Sequence, residues 1–134
     1  MKIQEFYETA RKFIEAVQDV DEARARQLDF EKNNKPPIKP TQVESWDEWN
    51  KYLDAEQAFK AEIDRYDTEV TEAKSKRSEL ETILKKVMPI MVWFRVDNQG
   101  IGVSYTNWGG SHYDLITRPW QEQMPSLDHT YHGD

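Results

Sequence analysis

The sequence predicts an α+β fold: a long antiparallel helical hairpin, coiled-coil-like, followed by a small three-stranded antiparallel β-meander. Three observations carry this expectation. Apolar residues from Phe59 to Val87 recur in steps of three and four, a shorter pattern of the same kind precedes a proline-rich stretch, and the period switches to two after Ile90. One domain over 1–134 is expected, with helix at 3–31, a connector at 32–44, a long helix at 45–88, the meander at 90–118 and an irregular tail at 119–134.

The first helix rests on the seam Ile3, Phe6, Ala10, Phe13, Val17 and Val20, widened by Tyr7 and Ile14. Beyond Val20 the seam weakens, because Arg24 and Gln27 fall where apolar residues would continue it, while Ala23, Ala25 and Leu28 keep helix propensity high. The run Asn33-Asn34-Lys35-Pro36-Pro37-Ile38-Lys39-Pro40 ends it, since prolines lack a donor and bias their neighbours to extended geometry.

Ser45 and Glu48 form a capping box that opens the long helix, and Pro89 closes it. Its seam runs Phe59, Ile63, Tyr66, Val70, Ala73, Leu80, Leu84 and Val87, with Arg77 in the one slot that is not apolar. At ~1.5 Å per residue this helix is roughly 65 Å long, and a shorter first helix leaves its late half without a hairpin partner. Val70, Ala73, Leu80, Leu84 and Val87 are therefore expected to form the interface of a two-fold homodimer. Trp46, Trp49, Tyr52 and Leu53 crowd the start of the helix, either packing on Pro36 and Pro37 or exposing Trp46 and Trp49 as anchors for a protein or peptide partner.

The meander is read from alternation. Val92, Phe94, Val96, Ile101, Val103, Tyr105, Tyr113 and Leu115 fall on one face, with turns at Asp97–Gly100 and Asn107–Gly110. A small sheet with one apolar face needs a helix to cover it, and Leu80, Leu84 and Val87 are the expected cover. The opposite face carries Trp93, Arg95, Ser104, Thr106, His112 and Asp114, with Trp108 in the second turn. A five-residue loop there sets Thr106 opposite His112 and Ser104 opposite Asp114. Trp93, Arg95, Thr106 and Trp108 then become candidates for a small-ligand or peptide surface, and Ser104, His112 and Asp114 for hydrolase-like chemistry. Proximity alone does not activate a serine, which needs a base, an orienting group and oxyanion donors.

Composition narrows the rest. The chain lacks cysteine, which excludes disulfides, thiol nucleophiles and thiolate metal sites. His129 and His132 are the weak candidates for a metal, with no second ligand pair fixed by spacing. No cofactor is expected, because Gly100 and Gly102 lie in a hairpin and not in a strand-to-helix phosphate loop. A net charge of −7 argues against nucleic acid as a partner, and no apolar run is long enough for a bilayer. The opening residues MKIQEFYETARKF carry acids and no continuous apolar run, so a cytoplasmic location is expected. The reading that fits best is a non-enzymatic interaction or scaffold protein, self-associating through the long helix.

Overall fold

The computed structural model describes residues 1–106 and 112–127. The first apolar pattern is helix α1 (Ile3–Asn33) and the long one is helix α2 (Trp46–Val87). The Ser45 hydroxyl accepts from the Glu48 amide at 3.4 Å, and the Glu48 carboxylate reaches back to the Glu44 amide at 3.1 Å. Both bonds satisfy donors near a helix start that have no intrahelical partner. Three strands follow, β1 (Trp93–Val96), β2 (Gln99–Thr106) and β3 (His112–Pro119), antiparallel in the order β1-β2-β3. Two long helices followed by a three-stranded antiparallel sheet are the predicted arrangement.

The chain divides into two compact units, Val17–Ser75 and Met1–Ala16 with Lys76–Asp134. In the first of these, Phe30 of α1 stacks on Phe59 and Tyr66 of α2, with ring centroids 5.7 and 5.0 Å apart. Arg26 meets Glu69 at 3.4 Å, and the Gln27 amide donates to Asp67. Later residues of α1 meet earlier residues of α2, so the helices are antiparallel here. The seam of α1 continues past Val20 through Ala23, which is fully buried, to the half-buried Gln27 and Phe30. Arg24 lies outside it, so the apparent interruption is a shift of one position.

This register reverses one expectation. The ring contacts of α1 reach α2 no earlier than Phe59, so the start of α2 from Trp46 runs past the end of α1 by about 20 Å at ~1.5 Å per residue. It is the early end of the long helix that lacks a hairpin partner, not the late half. A flush start of both helices at the connector would leave the late half bare. The seams set the pairing instead, and the extended connector is long enough to follow it.

In the other unit the sheet packs its apolar face inward. Val96, Ile101, Val103 and Leu115 are buried together with Ala10, Phe13 and Ala16 of α1 and with Leu84 and Met88. Phe94 pairs with Ile101, Val103 with Leu115 and Tyr105 with Tyr113, as alternation required. Phe6 approaches Phe94 at 5.4 Å between centroids, and Glu81 of α2 accepts the Leu115 amide at 3.4 Å. Val92 departs from the expected face: it precedes β1 and is 44% exposed, because the chain reverses at Met91 with φ 64°. The Met91 amide donates to the Val103 carbonyl at 2.8 Å, which anchors that reversal. The first hairpin loop is Asp97-Asn98 alone, with Asp97 at φ 55° and Gln99 and Gly100 already in β2. Pro119 closes β3 instead of following it, as an edge strand permits.

Candidate functional site

The polar side of the sheet has the register that alternation gives: Ser104 opposite Asp114 and Thr106 opposite His112. Its chemistry is set by what covers it. Gly100 and Gly102 alternate on β2 beside Trp93, and the chain after β3 crosses over them. A Cβ on Gly100 would lie 2.6 Å from Met124 Cε, and one on Gly102 would lie 2.7 Å from Leu127 Cδ1. The Trp93 indole donates to the Pro125 carbonyl at 2.8 Å, the Trp120 amide donates to the Asn98 carbonyl at 2.8 Å, and Leu127 is buried. Residues 120–127 therefore lie on the face expected to be an open binding surface, and Trp93 is half-buried beneath them. Arg95 remains exposed, donating to the Asp97 carbonyl at 3.0 Å with its guanidinium 5.7 Å from the Trp120 ring centroid.

Ser104 is fully buried, and its hydroxyl donates to the Asp114 backbone carbonyl at 3.4 Å. His112 Nε2 approaches the Asp114 carboxylate at 3.4 Å, forming a solvent-facing pair two residues apart on one strand. A serine nucleophile needs its proton directed at a base, whereas this one is directed at a main-chain oxygen. Trp108, His129 and His132 lie outside the described residues, as does the Thr106 side chain. Among the described residues no group of three His, Asp or Glu side chains is placed to hold a metal ion.

Each unit also carries open clefts among the described residues. Val43, Glu44, Ser45, Trp46 and Trp49 line a cleft of about 590 Å³ at the unpartnered start of α2. Trp46 is 77% exposed there, while Trp49 is half-buried with its ring centroid 5.3 Å from that of Tyr52. Of the two arrangements the sequence allows here, packing or exposure, Trp46 takes the exposed one and Trp49 lies between them. Within the other unit, Met1, Ile3, Phe6, Val87, Met88, Pro89 and Phe94 line a second cleft of about 250 Å³.

The expected interface residues divide sharply. Val70 and Leu84 are already buried within a single chain, Ala73 and Leu80 are half-buried, and Val87 is 45% exposed. No family model matches this chain, and no curated protein or solved structure matches it. Any function must be argued from its own surfaces. The apolar residues that do face solvent near the end of α2 are Ile83, Val87, Ile90, Met91 and Val92. Sequence reasoning missed Ile83 because it falls off the seam, yet its position four residues before Val87 on a helix was the available signal. It also missed Met124 and Leu127. There the signal was the pair of glycines on one strand face, which marks close approach by another part of the chain.

Proposed function

We propose that this chain is a cytosolic, non-enzymatic interaction or scaffold protein that self-associates through the late end of α2. The observation that carries the reading is the apolar strip of Ile83 and Val87 on one side of α2, 43% and 45% exposed, with Ile90 and Val92 also exposed in the residues that follow. Val87 also borders the cleft with Met1 and Ile3, which are 57% and 74% exposed. Apolar surface left exposed in this way is what association covers. Of the seam residues expected at the interface, Val87 belongs to this strip, whereas Leu84 has no area left to bury.

The test is absolute mass by light scattering across a concentration range, for the wild type and for Ile83→Asp with Val87→Asp. Both substitutions fall on exposed positions, so the fold is retained while assembled mass is lost. An unchanged mass, with unchanged helicity, would sink the proposal. Leu84→Asp is a poor test because it would place a charge in the core. Helical transmembrane anchoring has no support: among the described residues no helix is long and apolar enough to cross a membrane.

A further inference from the structure

The segment 120–127 rests on the sheet as a bound peptide does. Trp120 and Met124 are half-buried and Leu127 is buried, while the residues between them are exposed. Among the described residues the segment adds no fourth strand to the sheet. The Trp120 amide bonds the Asn98 carbonyl at the hairpin turn, the Gln121 amide bonds Met124 Sδ of its own segment at 3.2 Å, and the Pro125 carbonyl accepts from the Trp93 indole. The seats are made by missing side chains. Gly100 and Gly102 lie two apart on one face of β2, and Met124 and Leu127 take the spaces their Cβ atoms would fill. Glycine inside a strand weakens it, and close approach by another segment is what offsets that loss. Arg95 and Arg118 are the register partners of Gly100 on its two sides, so this face carries two positive charges beside the first seat. The segment brings an acid to it, since Glu122 precedes Met124 by two residues.

We propose that this face is a peptide groove and that 120–127 is an intramolecular ligand in it, a strap that yields to a segment of another protein with the same chemistry. That segment is extended and acidic, with two side chains the size of Met and Leu three positions apart. Anchors at fixed spacing give such a groove its specificity. The Trp93 indole donates to a main-chain carbonyl, so it fixes the direction of the occupant whatever its sequence. A tethered occupant lowers the affinity for a free one by the fraction of the time the groove stands open, so the strap sets a threshold for the partner.

Gly100, Gly102 and Trp93 are not part of the strip of Ile83 and Val87, and the groove is measured with that strip disabled. The full chain with Ile83→Asp and Val87→Asp, isotope-labelled at tryptophan, is titrated with a free peptide of residues 119–127 while the Trp93 indole resonance is followed. Adding Met124→Ser and Leu127→Ser removes both anchors of the strap and leaves the groove intact. The peptide is expected to bind that strap variant about tenfold or more tighter than its parent. The same peptide carrying Met124→Ser and Leu127→Ser binds neither. Equal affinity for variant and parent, no binding to a folded variant, or binding that survives loss of the peptide's anchors would overturn the proposal. Because Leu127 is buried, the strap is also probed without touching it. In the parent, the Trp93 indole and the Trp120 amide are expected to exchange with solvent about tenfold or more faster than the amides of β2, the central strand. Exchange at one common rate would make the strap part of the sheet and overturn the proposal, whether or not the variant folds. Strap resonances that shift with protein concentration would overturn it as well, since the occupant would then be a second copy's strap.

Discussion

At Gly102 a Cβ would meet Leu127 Cδ1 at 2.7 Å, Trp93 Cε3 at 3.2 Å and the Val92 carbonyl oxygen at 3.2 Å. A backbone oxygen cannot swing aside, so Gly102→Ala is expected to cost about 1–3 kcal/mol, as overpacking usually does. At Gly100 the nearest atom is the tip of Met124, a flexible side chain, so Gly100→Ala should cost less. Urea unfolding of both variants checks the order, and equal losses would contradict it. On the first half of α2, Lys60 and then Tyr52 hold the Glu56 carboxyl below its ordinary value of 4.5. A depressed folded-state pKa means this contribution is complete above about 4.5 and fades as pH falls through the folded value. Glu56→Gln should therefore narrow the gap in stability between neutral and acid pH, by a small amount because the group is solvated. A gap as wide as that of the wild type would show that the Lys60 and Tyr52 contacts of Glu56 contribute nothing.

Elements depend on a few junctions. Met91 turns the chain from α2 into the sheet with φ 64°, a conformation that costs an L-residue with a Cβ roughly 1–2 kcal/mol. Met91→Gly relieves that strain against the greater freedom of glycine when unfolded, and a net gain of up to about 1 kcal/mol is expected by thermal unfolding. A loss would mean that the Met91 side chain contributes more to packing than its 37% exposure implies. In the core, Leu84 is fully buried, so Leu84→Ala should cost about 2–5 kcal/mol. Ser45→Ala removes only a cap, for about 1 kcal/mol. A cap costing more than the core leucine would mean that α2 is stabilised chiefly from its first turn.

At the scale of the whole molecule, what matters is which surfaces one chain leaves uncovered. The Ile83–Val87 strip and the Trp46 cleft with its connector belong to different compact units and share no residue. A two-fold contact through the strip closes at two copies, so light scattering of the wild type should plateau at twice 15.9 kDa as concentration increases. A mass that stays at one chain would mean that the strip does not associate.

The sequence by itself determined the type and order of the elements, because their signals are local. The Ser45–Glu48 cap, the three-and-four spacing and the stop at Pro89 depend on residues within a few turns of one another. Once five residues separate β2 from β3, alternation leaves one pairing, with Ser104 opposite Asp114. What only the tertiary structure decided was coverage. An apolar seam marks a face that will be buried without saying by what. Val70 and Leu84 consequently read as an open interface and are covered within one chain, and Trp46, which the sequence leaves open between packing and exposure, is exposed. The chain's own tail took the sheet face through Met124 and Leu127, because those contacts join residues with no common period, and only the folded backbone brings them to the two glycines.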